Sequence, residues 1–202
     1  MIRTPQHYKR ENVKTIFKKV LQDNAVVLVP EEITVKEKIN PGPMETVIDF
    51  SFFDGDQHVL INTITGHGLM HCLFSGLRDN YIEEYHSISN LKLIDLAVTP
   101  IMSKNRESLG ADAKVSLCLR VDVQGHGSSE FVKCSRSIID CSFQGILEVF
   151  QFYLNCHKTF VKLRQVIKEA ESRNRTDIVQ ACLSDLSILT EVNFYNEKDK
   201  KI

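Results

Sequence analysis

The amino-acid sequence predicts a mixed α/β (α+β) fold made of a duplicated β-β-β-α unit, with an N-terminal helix and a C-terminal helical tail. Two observations carry this reading. Strand-like runs precede a helical run twice along the chain, in the same order. The two helical runs also share residues: His71-Cys72-x-Phe74-x-Gly76-Leu77 lines up with Asp140-Cys141-x-Phe143-x-Gly145-Ile146, an offset of 69 (141 − 72) that also aligns the hairpins before them.

Taken in order, residues 11–23 place Val13, Ile16, Phe17, Val20 and Leu21 at helical spacing, with Lys14, Lys18 and Lys19 on the opposite face. A basic face of this kind can touch phosphate, but it reads first as a solvated helix surface. Pro30, Pro41 and Pro43 bound an extended piece, EITVKEKI. ETVIDFSFF and QHVLINTIT read as a hairpin around the turn residues DGD, and GHG at 66–68 leads into the helical stretch LMHCLFSGLRDNYIEEY. Glycines at such a junction allow tight backbone geometry and leave amide N–H groups at the helix start.

The second unit repeats the order. LKLIDLAVTPI and KVSLCLRVDV are strands, QGHGSSE is a turn, EFVKCS is a third strand, and SRSIIDCSFQGILEVFQFYL is the helix. Ser137 and Asp140 have capping-box spacing at its start. The helix is apolar nearly all round, as expected of one held between a sheet and a second helix. A mid-helix glycine costs about 1 kcal/mol, so Gly76 and Gly145 mark places where another element approaches closely. The two GHG triplets are 59 residues apart (125 − 66) and do not share the repeat register, so the second is a hairpin turn. HKTFVKLRQVIKEAES and RTDIVQACLSDLSILTE form two amphipathic helices packed on the sheet or on a second subunit, and NEKDKKI is a polar, frayed end. Three regions follow: a helical extension over 1–31, the duplicated domain over 32–155 and the helical tail over 156–202.

Composition narrows the function classes. The chain has 202 residues, 43% hydrophobic and 25% charged, with a net charge of −1, which gives no global field for nucleic acid or an anionic membrane. No apolar run approaches the 18 or so residues of a membrane span, and the start has no secretory-signal pattern. Six scattered cysteines without CxxC spacing read as reduced, buried thiols in a cytoplasmic protein.

Catalytic and metal constellations are sparse. His67 and His71 stand at i and i+4 with Cys72 adjoining and His58 on the strand before, but no acidic residue completes a HExxH pattern. An enzyme using His67, His71 and Cys72 is therefore a distant alternative. GHGSS at 125–129 lacks the GxSxG order of a nucleophile elbow, and neither glycine cluster is a P-loop or dinucleotide fingerprint. Glu83, Glu84, Glu45 and Asp49 read as solvated-face and turn residues.

Ser135-x-x-Ile138-Ile139-Asp140-Cys141-Ser142-Phe143-Gln144-Gly145-Ile146 resembles the S-x-x-I-I-E-A-S-W-Q-A-L signature near the end of citramalate synthases, relatives of α-isopropylmalate synthase. Three further stretches follow the same family's order. Gly66-His67-Gly68-Leu69-Met70-His71-Cys72-Leu73 is similar to G-N-G-P-V-N-A-L, Leu93-Ile94-Asp95-Leu96-Ala97-Val98 to L-x-D-Y-x-V, and Gly110-Ala111-Asp112-Ala113-Lys114-Val115 to G-x-x-A-x-V. The resemblance covers roughly residues 32 to 155 and is to the C-terminal allosteric, dimerising domain.

It implies two units around a pseudo-twofold axis, no catalytic role, no cofactor, and a branched-chain amino acid or related keto acid bound where glycine loops and helix starts meet. Matched by motif, the pocket would use Gly66, His67, Gly68 and Met70 from the first loop, Leu96 and Ala113 from the strands and Ile138 from the second helix start. Four positions depart from the pattern: His67 replaces Asn, Leu69 replaces Pro, Leu96 replaces an aromatic and Lys133 replaces Gly. The family's catalytic barrel would need about 250 residues, more than this chain offers. The expectation is a homodimeric module regulating a separate synthase subunit, or else a pure interaction module with a degenerate pocket.

Overall fold

The computed structural model describes residues 5–38, 45–101, 113–124, 127–193 and 195, with side chains from Lys9 onward. Its elements are α1 (Pro5–Val20), β1 (Leu28–Lys38), β2 (Glu45–Asp54), β3 (Gln57–Gly66), α2 (Leu69–Tyr81), β4 (Leu91–Pro100), β5 (Val115–Val123), β6 (Gly127–Ser135), α3 (Ile138–Ser172) and α4 (Thr176–Thr190). Short 3-10 turns at Gln22–Asn24 and His86–Asn90 lead into β1 and β4. The strands form two antiparallel three-stranded sheets, β1-β2-β3 and β4-β5-β6. The β-β-β-α duplication is present as predicted. Pro41, Pro43, Gly110 to Asp112, the Gly125-His126 pair and the polar end 196–202 lie outside the described residues.

Strand registers carry the duplication further than residue identity does. β1 and β2 slip between Pro30 and Glu32, and β4 and β5 slip between Leu93 and Asp95. These bulges occupy equivalent places, because Phe52 and Ser51 face the first while Val121 and Arg120 face the second. Pro30 therefore sits inside β1 instead of bounding it. An edge strand at a bulge is where a sheet accepts a residue without an N–H. The second hairpin differs from the first by one residue. Asp54 pairs with Gln57 but Val123 pairs with Gly127, and β3 makes up the difference with its own bulge, where Thr63 has φ +57° and donates its N–H to Asp49 Oδ1 (2.7 Å).

Each sheet has one apolar face to bury. α2 packs on β2 and β3, and α3 packs on β5 and β6. The two mid-helix glycines are the contact points. A Cβ on Gly76 would lie 3.2 Å from Phe50 and Ile64, and one on Gly145 would lie 3.0 Å from Leu119 and 3.3 Å from Leu117. Phe50 and Leu119 are equivalent in the repeat. Both glycines thus let a helix settle onto its own sheet.

α3 also serves the first unit. Phe143 meets Phe50 of β2 (ring centroids 5.4 Å apart) and Phe150 meets Phe74 of α2 (5.2 Å). Phe152 meets Phe131 of β6 (5.8 Å) and Phe17 of α1 (5.5 Å). Full burial of such rings is worth about 1.5–3 kcal/mol each. Its start is capped as predicted, with the Ser137 hydroxyl accepting from the Asp140 N–H (3.3 Å).

Where the sequence suggests a division near residue 155, α3 runs on unbroken to Ser172. No glycine or proline interrupts residues 146–172, and the apolar stripe continues through Phe160, Leu163 and Ile167. α4 then returns along α3 and also touches α1. After it, Tyr195 stacks on Phe160 (3.9 Å, 10° between planes) and donates to the Cys156 carbonyl (3.2 Å).

α1 is fastened by a buried cation. Arg10 is 6% exposed. Its guanidinium lies 3.8 Å from the Phe131 ring centre, donates to the Glu130 carbonyl and pairs with Glu148 (3.1 Å). Burial lowers its pKa and Glu148 opposes that change.

Two stability predictions follow from these contacts. Gly76→Val and Gly145→Val each overpack a helix–sheet contact and should lower unfolding free energy by about 1–3 kcal/mol, read from urea transitions by circular dichroism. Unchanged midpoints in both would refute the close-approach role. Arg10→Ala leaves Glu148 with one cation fewer in a part-buried site and should cost about 3 kcal/mol. A loss below about 0.5 kcal/mol, typical of a neutral surface change, would show that α1 is not held there.

Candidate functional site

The residues singled out by sequence do not form one cluster in the strand register. Gly66, His67, Gly68 and Met70 stand together at the β3–α2 junction. Leu96 lies on β4 opposite Leu119, Ala113 precedes β5, and Ile138 opens α3. Pairing of Val115 with both Pro100 and Ser135 brings the end of β4, the start of β5 and the end of β6 to one end of the second sheet.

At the first junction the chain supplies its own occupants. Gly68 has φ +98°, a conformation that requires glycine. Its N–H donates to the Thr46 hydroxyl (3.1 Å), an acceptor from β2 standing where a ligand carboxylate would compete. The place beside Gly66 that a Cβ would occupy is filled by the His71 imidazole. His67 and His71 lie with ring centres 6.3 Å apart, and Cys72 is fully buried with its thiol toward the Thr46 carbonyl (3.6 Å). Among the described residues, no group of three His, Cys, Asp or Glu side chains could hold a metal. Burial raises the thiol pKa of Cys72, which argues against a nucleophilic role. Both histidine side chains are exposed at the junction.

Leu96 and Val98 pair with Leu119 and Leu117, whose side chains meet α3 at Gly145, so all four share the helix-facing side of the sheet. Yet Leu96 is 43% exposed and Val98 44%. Their repeat equivalents on β1, Ile33 and Val35, are half-buried against the core, and α3 packs on β1. Neither α2 nor α3 packs extensively on β4. Ile138 and Ile139, at the same end of the sheet, are also exposed.

A cavity of about 460 Å³ opens between α1, the start of β1 and α3. Its apolar wall includes Phe17, Val26, Leu147 and Phe152; Lys14, Lys18 and Lys133 supply cations, and Gln151 and Asn155 supply amides. Asn155 is fully engaged: its Oδ1 accepts from Val26 N–H (2.8 Å), and its amide donates to the carbonyls of Val26 and Gln151. Gln151 Oε1 accepts from Leu28 N–H (2.9 Å). Lys133 pairs with Glu148 (2.9 Å) and Lys14 with Glu11 (3.0 Å).

Lys14, Lys18 and Lys19 form a solvated face as the sequence suggests, with Lys18 and Lys19 exposed; Lys19 also pairs with Asp185 of α4 (2.7 Å), while Lys14 and Lys18 border the cavity. Asn155 and Gln151 escaped that reading altogether. Their only signal was an amide pair, four residues apart, in an apolar helix. His157, whose Nδ1 lies 3.2 Å from the buried Ser87 Oγ, borders another cavity of about 540 Å³ between the end of α1 and α3.

Compared with models of known protein families and with curated protein sequences, the chain matches none. No described helix is long and apolar enough to cross a membrane.

Thiol labelling tests the inert reading of the junction. Cys134 is exposed, whereas Cys72, Cys141 and Cys156 are buried with thiol pKa values raised by that burial. Iodoacetamide followed by peptide mass mapping should modify Cys134 first and the other three only on unfolding. Rapid modification of Cys72 in the native protein would restore it as a candidate nucleophile.

Proposed function

We propose that the chain is a non-catalytic regulatory module, of the type found in citramalate and isopropylmalate synthases, that acts as a homodimer joined across β4. The observation that carries this is the unequal cover of equivalent strands: Ile33 and Val35 are half-buried, while Leu96 and Val98 remain open. A surface that one unit buries inside the molecule is left for a second copy in the other. The ordered sequence motifs at 66–73, 93–98, 110–115 and 135–146 support the same reading, with a separate synthase as the regulated partner and the cytoplasm as the compartment.

The Gly68 N–H already has an acceptor in Thr46, so a carboxylate would have to compete for it, which favours association over effector binding at that place. Of the two readings that the motifs allow, the interaction module fits the first junction better than the effector site does.

Sedimentation velocity of the wild type and of a Leu96→Asp/Val98→Asp variant tests the proposal. Dimeric wild type and a folded, monomeric variant are expected, because two charges on a buried apolar face cost several kcal/mol. A wild type that stays monomeric across the micromolar range, or a variant that stays dimeric, would overturn it.

A further inference from the structure

We infer that the cavity between α1, the start of β1 and α3 is a binding site for a small organic carboxylate with an apolar tail. The inference stands independently of the dimer proposed above, because the cavity and β4 share no residue.

The volume, about 460 Å³, falls in the range of small-molecule sites, roughly 300–1,000 Å³. Its lining joins an apolar wall to an equally large set of polar and charged side chains. The charge is unbalanced: three lysines line it against one glutamate, Glu148, and that carboxylate is already neutralised by Arg10 and Lys133. Lys14 is engaged with Glu11. Lys18, one helical turn further along α1, has no ion-pair or hydrogen-bond partner among the described residues.

A second donor is placed by backbone geometry. Gln151 spends its Oε1 on the Leu28 N–H, which fixes the orientation of the amide and leaves its NH₂ with no acceptor among the described residues. An ammonium and an amide NH₂ offered at one cavity, with Phe17, Val26, Leu147 and Phe152 beside them, suit a carboxylate head and a hydrocarbon tail. A cation would meet the excess of lysines, and an uncharged ligand would gain no charge pairing from Lys18. Asn155 cannot contribute, since its oxygen and nitrogen both hold Val26.

The test is ¹⁵N–¹H correlation spectroscopy of the full chain titrated with hexanoate, and in parallel with hexanol and hexylamine. Hexanoate should produce saturable shifts at Lys18, Val27, Leu28 and Gln151 in the millimolar range or below. Hexanol and hexylamine should bind about tenfold more weakly or not at all, a difference of about 1.4 kcal/mol. Lys18→Ala alters an exposed side chain and should weaken hexanoate about tenfold while leaving the spectrum of the free protein and the oligomeric state unchanged. Ala25→Phe, which projects into the cavity, should abolish the shifts. Equal binding of acid, alcohol and amine, hexanoate shifts located elsewhere, or affinity untouched by Lys18→Ala would each overturn the assignment.

Discussion

One constraint governs the architecture: two three-stranded sheets, each with an apolar face, must be covered by helices supplied from a duplicated unit. α2 has 13 residues and covers only its own sheet, whereas α3 has 35 and covers its own sheet, the aromatic face of β2 and the base of α1. The apolar run that is too hydrophobic for a surface helix is thereby explained, since every residue from Cys141 to Phe160 is buried or half-buried. The glycines at 76 and 145 set the depth at which each helix seats. A shallower seat would open the ring contacts of Phe143 and Phe150 and part the two units.

The polar fastening between α3 and the N-terminal segment obeys a simple match of lengths. Four helical residues rise about 6 Å and two strand residues about 6.6 Å. Gln151 and Asn155 therefore reach Leu28 and Val26 in register, and the helix acts as an extra edge partner for the chain entering β1. The same arrangement builds the cavity: to place two amides against that backbone, α1 and α3 must stand apart on one side, and the gap between them is lined by what each presents.

Much of the fold was legible because duplication repeats its own evidence. The offset that aligns Cys72 with Cys141 also aligns β2 with β5 and the two glycines, and Ser137 caps α3 as its position implied, although its own N–H goes to Ser135 and not to Asp140. The continuity of α3 past residue 155 was less visible, although its apolar stripe and the lack of any breaker were present in the sequence. The bulges at Pro30–Glu32 and Leu93–Asp95 were not legible at all, because register is decided by the partner strand. A glycine loop before a helix signals free amides, but whether Thr46 and His71 occupy it depends on residues brought from β2 and from the next helical turn.

The length of α3 has a mechanical consequence. At 1.5 Å per residue its 35 residues span about 52 Å, against about 20 Å for α2. The outer half is a rigid rod extending past its repeat-mate, with α4 laid along it and Tyr195 pinned to Phe160. A helix without glycine or proline in that half lacks the usual sites of a kink, and α1 and α4 brace it from the side, so the far turn into α4 is held at a fixed place relative to the second sheet.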